Sequence, residues 1–434
     1  MALLADHLTD TRGTTGDAPL RIALLSYRGA THCGGQGVYL RNLGRELVAL
    51  GHAVTVFSGP PYPRLEAGVE LVEVPSLELY RDGGPFKNRA WKQIRTRIDA
   101  SEFWEMMSGR FPEPRTFSDR AARLLRARAR DFDIVHDNQS LGAALPALTE
   151  VGLPVIATVH HPLTVDRETS LATVEDIRFR RAIERWYAFV EMQQEVAQGL
   201  PLVLTVSQTS CDDIVEQLGV RRERLRVVPV GVDPERFRPR PGTERVPGRV
   251  LTTASADVPL KGLVHLIEAV AKVRTERPVE LVVVGKSAEL GPVAEAMDRF
   301  AVRDIVRFVS GISDDELVDL YAECEIAVVP SLYEGFSLPA VEAMACGVAL
   351  VATTGGAIPE VTGPSGQAAR LVPPADAGAL AVAMNQLLAD PAERARLGSA
   401  GRRRAIEHFT WRACATKTVE QYRALLELHA ATRP

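Results

Sequence analysis

IAVVPSLYEGFSLPAVEAMACGVALVATT, residues 326–354, compresses a repeating structural unit into one short stretch. An unbroken apolar run (326–331) leads into a turn with Glu334 and Gly335. A helix-compatible segment opens near Ser337, stops at Gly347, and gives way to a second apolar run (349–354). Apolar runs without alternation read as strands buried on both faces. A helix between two of them makes the strands parallel, joined by a right-handed crossover. Two acids punctuate the unit: Glu334 at the mouth of the helix and Glu342 inside it, among Ala, Val and Met. A carboxylate in such surroundings is unfavourable unless something hydrogen-bonds to it. Either the protein supplies that partner or a ligand does.

Outward from this unit the same rhythm runs nearly end to end. RIALLS (21–26), AVTVFS (53–58), DIVH (133–136), PVIATV (154–159) and LVLTVS (202–207) read as buried strands in the first half. VLTTAS (250–255), ELVVVG (280–285) and IVRFVS (305–310) join the two runs above in the second. Strands alternating with helices predict an α/β protein of two Rossmann-like domains, parallel sheets facing a central cleft. Five prolines in 227–248, with few apolar residues after Phe237, mark a linker. The expected division is a flexible tail (1–18), an N-terminal domain (19–228), the linker (229–248) and a C-terminal domain (249–408), with a closing helix (409–430).

Bulk properties narrow the function. With 434 residues, 46% hydrophobic and 24% charged, the chain has ample material for two or three cores. A formal charge of -4 argues against nucleic acid as a partner. Five scattered cysteines, without C-x-x-C or zinc-ligand spacing, predict reduced thiols and no metal. The first residues lack a basic start and an apolar stretch, and no run approaches the ~20 apolar residues of a membrane span. The expected compartment is the cytoplasm.

The chemistry is expected at two strand-to-helix turns. In SYRGATHCGGQGVYLRNL, Gly34, Gly35 and Gly37 suit either a tight turn or a loop whose amides approach an anion. In the second half, the amides of Phe336, Ser337 and Leu338 face out of a helix mouth, where a phosphate is favoured. At ~1.5 Å rise per residue, Glu342 lies about 7–8 Å along from Ser337. A ligand with a diphosphate at its middle and hydroxyls at both ends fits that spacing, and nucleotide sugars have that shape. Ionised carboxylates only accept hydrogen bonds, which suits vicinal hydroxyls. A glycosidase pair also uses two acids, ~5–9.5 Å apart across one bond, but has no use for a phosphate-ready helix mouth.

EGFSLPAVEAMACGVALVATTGGAIPEV, opening with Glu334 and carrying Glu342 in E-x7-E spacing, resembles the signature of family 4 retaining glycosyltransferases of the GT-B fold. The likeness extends from Arg21 to about Leu428. GGQGVYLRNLGRELVALGHAVTVF is similar to the family's glycine loop and first helix, and VPVGVDPERF (228–237) to its interdomain marker, usually with Asn where Val230 stands. LKGLVHLIEAV is similar to its Lys-Gly helix start, and HFTWRACATKTVEQYRALL to its closing segment. The resemblance implies that Glu342 binds ribose hydroxyls and Glu334 the donor hexose. It places backbone amides of Gly335, Phe336, Ser337 and Leu338 on sugar and phosphate, and Lys261 on the diphosphate. Gly35 and Gly37 approach that diphosphate from across the cleft, His160 lies near donor sugar and acceptor, and Gly311 and Ile312 lie by the base. His161 is a less favoured choice than His160.

The resemblance implies retaining, metal-independent hexosyl transfer from a UDP- or GDP-sugar to a hydroxyl on a lipid, metabolite or oligosaccharide, with no cofactor. A nucleotide-sugar epimerase, a phosphorylase, a dinucleotide oxidoreductase and a non-catalytic binder are the alternatives. The family's usual arginine five residues before the lysine is Ala256 here, and Lys286 is a candidate replacement. Asp131 and Asp133 form a D-x-D at the start of a strand, away from the cleft, and read as a solvated turn. Residues 81–130 carry 13 Arg or Lys against six Asp or Glu, with Trp91, Phe103, Trp104, Met106, Met107 and Phe111 interleaved. That segment is a packed insertion, an acceptor lid, or a peripheral contact for anionic lipid at the inner membrane face.

Overall fold

The computed structural model describes residues 18–29, 35–80, 89–172, 174–287 and 289–432. Gly34, most of the expected tail and residues 81–88 of the basic segment lie outside them. Among the described residues, thirteen strands form two wholly parallel sheets. The first contains β1 (Arg21–Ser26), β2 (Ala53–Ser58), β3 (Val69–Glu73), β4 (Ile134–Asn138), β5 (Val155–Val159), β6 (Val203–Thr205) and β7 (Leu225–Val227). Its order is β3-β2-β1-β4-β5-β6-β7. The second contains β8 (Arg249–Thr253), β9 (Glu280–Val284), β10 (Val306–Val309), β11 (Ile326–Val329), β12 (Ala349–Thr353) and β13 (Arg370–Val372), ordered β10-β9-β8-β11-β12-β13. The order reverses direction between β1 and β4 in one sheet and between β8 and β11 in the other. Open α/β sheets bind ligands outside the carboxyl ends of their strands at such a reversal. The glycine loop follows β1, and Glu334 follows β11.

All ten strands read from apolar runs are present. The three that were not read, β3, β7 and β13, lie at sheet edges. There one flank meets water, and the sequences VELVE, LRV and RLV carry no long apolar run. Strands buried on both faces announce themselves in sequence; edge strands do so weakly.

One hydrophobic cluster crosses between the halves, taking in Leu24, Tyr39 and Leu43 from the first, Phe336 and Met344 from the second, and Trp411, Tyr422 and Leu425. The last three sit on the long helix Trp411–Thr432, which packs on the glycine-loop helix Gly35–Ala49. The chain crosses between halves twice, side by side. Val232 donates its N–H to Phe409 at 3.0 Å and accepts from Trp411 at 3.3 Å. Beneath the long helix runs a buried polar chain. The Tyr422 hydroxyl meets His136 Nδ1 at 2.6 Å, His136 Nε2 meets Thr158 Oγ1 at 2.7 Å, and Thr158 Oγ1 meets the Tyr39 hydroxyl at 3.0 Å. Burial drives the His136 imidazole down to about 3, so it is neutral at pH 7.

The D-x-D turn is not simply solvated, as the sequence had suggested. Asp133 accepts from the Arg21 N–H at 2.8 Å and from Arg21 Nη2 at 2.7 Å, tying the start of β4 to that of β1. Within the basic segment, helices Arg97–Met107 and Glu113–Ala127 are cross-linked. Arg115 Nη2 meets Glu105 at 2.5 Å and Arg120 Nη2 meets Asp99 at 2.7 Å. Phe103 and Phe111 are buried, while Trp104 stays 67% exposed. The segment's acids are therefore partly used in pairing its own arginines, which leaves its net basic excess in place, and only some of the aromatics pack on their own domain.

The buried Tyr422–His136 contact yields a first prediction. Tyr422→Phe removes the hydroxyl and leaves a ring nitrogen without its partner, a loss of about 1–3 kcal/mol. Thermal unfolding should begin at lower temperature than in the wild type; an unchanged profile would mean the chain of hydroxyls does not hold the closing helix.

Candidate active site

The turn after β11 brings two of the expected residues into direct contact. Lys261 Nζ lies 2.8 Å from Glu334 Oε1, and the Ser331 hydroxyl donates to the same oxygen at 2.6 Å. No donor among the described residues bonds Oε2. Lys261 arrives on the turn Pro259–Lys261, which is zipped to the Glu334 loop by the Leu332 N–H on the Leu260 carbonyl at 2.7 Å. From the other side, the Ala357 N–H donates to the Glu334 carbonyl at 2.9 Å. Gly356, at φ 60°, approaches the Glu334 backbone so closely that a Cβ would collide with it. The Gly355–Gly356 pair was legible in the sequence, but its role as a cradle for Glu334 was not.

The helix Leu338–Ala345 begins at the expected point, with a strained entry. Ser337 sits at φ 92°, in the left-handed region, which is unfavourable by ~1–3 kcal/mol outside glycine. It is 3% exposed, and its hydroxyl has no partner among the described residues. Phe336 is anchored by its buried ring, 5.4 Å from Phe409, so only its backbone is available to a ligand. One turn and more into the helix, Glu342 meets no hydrogen-bond donor among the described residues. Burial lifts its carboxyl to about 7; Asp314 adds to the rise, and Lys261 opposes it. Asp314 itself is held below the ordinary carboxylate range against its own burial by Arg41, at 2.8 Å, and by Arg236. Gly311, at φ 72°, and Ile312 precede Asp314 and so lie toward the Glu342 end of the site.

Across the cleft, His160 follows β5. Its Nε2 meets Asn138 Oδ1 at 2.8 Å, while the Asn138 amide donates to the Gln36 carbonyl at 3.1 Å. That second bond fixes Oδ1 as acceptor, so the proton resides on Nε2, and Nδ1 keeps its lone pair. Burial, with the charge of His161, pulls the His160 imidazole down to about 3. Tyr39 packs edge-on at 4.8 Å. The halves touch here: a Cβ on Gly335 would fall 2.5 Å from the His160 carbonyl oxygen. Gly37 is buried and Gly35 exposed at the start of the glycine-loop helix, beside Gln36. Next to His160, His161 Nε2 meets Asp166 at 2.8 Å, an arrangement the sequence reading passed over.

At the missing arginine, Ala256 donates its N–H to the Lys286 carbonyl at 3.0 Å. The backbone of the candidate replacement thus stands beside position 256, while its side chain is 70% exposed with the ammonium 4.0 Å from Asp257. Among the described residues no group of three or more His, Cys, Asp or Glu is arranged to hold a metal ion, and no helix is long and apolar enough to cross a membrane.

The chain is similar to known proteins over nearly its whole length. Residues 33–236 match the family described as Glycosyltransferase Family 4, and residues 238–404 match Glycosyl transferases group 1. The chain is 52% identical over 413 residues to an MMP alpha-(1->4)-mannosyltransferase of Mycolicibacterium hassiacum, covering 95% of this chain and all of that one. It is 27% identical to a D-inositol 3-phosphate glycosyltransferase of Streptomyces bingchenggensis, over 94% of this chain and 90% of the relative. In fold it is similar to sucrose-phosphate synthase from Thermosynechococcus elongatus, with a TM-score of 0.70 at 23% identity, covering 95% of this chain and 100% of the other.

Glu342 makes a pH-dependent prediction. Its folded value of about 7 stands above the ordinary 4.5, so between those limits the unfolded chain releases the proton first. Stability from this group is complete below pH 4.5 and is lost as pH rises through 7. Unfolding measured from pH 5 to 8 should show Glu342→Gln gaining on the wild type, by on the order of 1–3 kcal/mol at the upper end. Parallel curves would place the acid in a less buried setting.

Proposed function

This chain belongs to glycosyltransferase family 4, and from that premise we propose that it moves a mannosyl unit from a nucleotide sugar to a sugar hydroxyl, with retention and without a metal. The observation carrying this reading is the spacing of two acids about one helix mouth: Glu334, paired with Lys261, at the loop end and the undonated Glu342 within. Glu342 accepts from ribose hydroxyls and Glu334 Oε2 from the hexose. The amides from Gly335 to Leu338 face the diphosphate, joined by Lys261 and, in place of an arginine at 256, Lys286. Gly35 and Gly37 approach it from the opposite wall, and Gly311 and Ile312 flank the base. Mannose and an α-(1→4) linkage are favoured by the name and 52% identity of the Mycolicibacterium relative, and GDP-mannose is the donor to test first.

In the reaction, the bond from the sugar C1 to the diphosphate oxygen breaks, and its electron pair stays on the departing diphosphate. The acceptor oxygen attacks C1 from the same face and passes its proton to the departing phosphate oxygen. No side chain is required as a strong base. His160, neutral, with its Nε2 proton held by Asn138, supports the sugar at the reacting end. Lys261 offsets the charge that grows on the leaving group. The enzyme acts in the cytoplasm. Exposed Trp91, Trp104 and Met107 offer a surface for peripheral contact with anionic lipid at the inner membrane face.

A thermal-shift screen of GDP-mannose, UDP-glucose, UDP-N-acetylglucosamine and ADP-glucose identifies the donor. At about 100 times its dissociation constant the right one stabilises by ~2.7 kcal/mol. With it, Glu334→Ala should lower kcat by about 10²–10³-fold, and product NMR should show the donor's anomeric configuration. An epimerised donor, phosphate-dependent sugar release, or binding without turnover each contradicts the reading. Absence of co-sedimentation with phosphatidylglycerol vesicles removes the membrane contact alone.

A further inference from the structure

Glu360 belongs to the short helix Ile358–Thr362 in the second half. Its carboxylate reaches across to the first half, to the start of the helix Gln208–Leu218. One oxygen accepts the Gln208 N–H at 2.8 Å; the other accepts the Thr209 N–H at 2.7 Å and the Thr209 hydroxyl at 2.5 Å. An ionised acceptor on amides at a helix N-terminus forms charge-assisted bonds aligned with the helix dipole.

The same helical turn holds the reacting end of the site. Ser210 donates its hydroxyl toward two carbonyls, that of His160 in its own half and that of Gly335 in the other, each at 3.1 Å. One turn further on, Asp213 accepts from the Tyr333 hydroxyl, the residue before Glu334. Glu360 is also tied back to the donor loop, because Ala357 at the start of its helix donates to the Glu334 carbonyl at 2.9 Å. Glu360, Tyr333 and Gly335 thus grip the first two turns of one helix of the first half, and all three belong to the segment that carries Glu334.

We propose that Glu360 is a positioning residue for glycosyl transfer, its carboxylate seated on the Gln208–Thr209 amides so that the donor loop is held in register against His160. These contacts exist only when the two halves meet. They stabilise the closed arrangement and add nothing to donor binding by the second half alone, since a contact shifts an equilibrium only by its difference between the two states. Ser210 converts the closure into contact at the reacting end. The inference rests on the transferase reading for its kinetic consequence, but the closure itself does not depend on it.

The test is Glu360→Gln, which keeps the shape and removes the charge, beside Glu360→Asp and Ser210→Ala. With GDP-mannose as probe, kcat should fall by about 10–100-fold in Glu360→Gln, the size expected for losing bonds to a charged group. Donor affinity by calorimetry should fall by less than kcat does, because the contacts of the second half hold the donor whether or not the halves are closed. Glu360→Asp should recover part of kcat, and Ser210→Ala should share the pattern. Small-angle scattering with the same probe should give a larger radius of gyration for Glu360→Gln than for the wild type. Unchanged kcat in a variant that folds as the wild type does would overturn the proposal; so would a parallel loss of donor affinity with kcat intact, which would put Glu360 in the donor pocket. If the wild type transfers no sugar at all, the transferase reading fails, and scattering alone decides the clamp: equal radii for variant and wild type overturn it.

Discussion

Gly335 lies so close to the His160 carbonyl that a single added carbon would not fit between them. That approach is the constraint on which the site depends. It sets the Glu334 loop of one sheet against the end of β5 in the other, and the surrounding structure holds it from several sides. The Gly355–Gly356 pair carries the Glu334 backbone, Phe336 is wedged against Phe409, and Ser210 spans the gap. Ser337 accepts a left-handed backbone as part of the same turn. Rigid sheets with short loops at their carboxyl ends can keep such geometry, where long loops could not.

Electrostatics then separates the ends of the site. At the loop end, Glu334 is matched by a lysine and a serine on one oxygen, and no donor among the described residues bonds the other. At the helix end, Glu342 is part-buried with no hydrogen-bond donor among the described residues, and its carboxyl is lifted to about 7. A carboxyl in that state lowers the stability of the folded chain as pH rises through about 7. On the opposite wall burial lowers the imidazoles of His136 and His160 to about 3, so both stay neutral.

Much of this was legible in the chain because it is local. Buried strands are written as apolar runs, and the helix mouth as an apolar strand, a glycine turn and a helix start. The pairing of Lys261 with Glu334 was only implied, by family resemblance, as nearness to one ligand. What escaped depends on contacts between distant residues. Glu360 meets Gln208 across 152 positions and Asp133 meets Arg21 across 112, and nothing in either neighbourhood announces the partner. Three of the four edge strands, β3, β7 and β13, escaped for another reason: each is short and carries no long apolar run, whereas edge strand β10, in the largely apolar IVRFVS, was read. Ala256 was visible as a departure from the family pattern, while the adjacency of Lys286 became evident only when β8 and β9 were seen side by side.

The account stands on where an intact nucleotide sugar comes to rest. A crystal structure of the protein soaked with GDP-mannose measures this directly. The diphosphate is expected against the amides from Gly335 to Leu338, with ribose oxygens on Glu342 and the hexose beside Glu334. A well-ordered nucleotide sugar whose diphosphate lies away from that helix mouth, with Glu342 touching no part of it, would contradict the account.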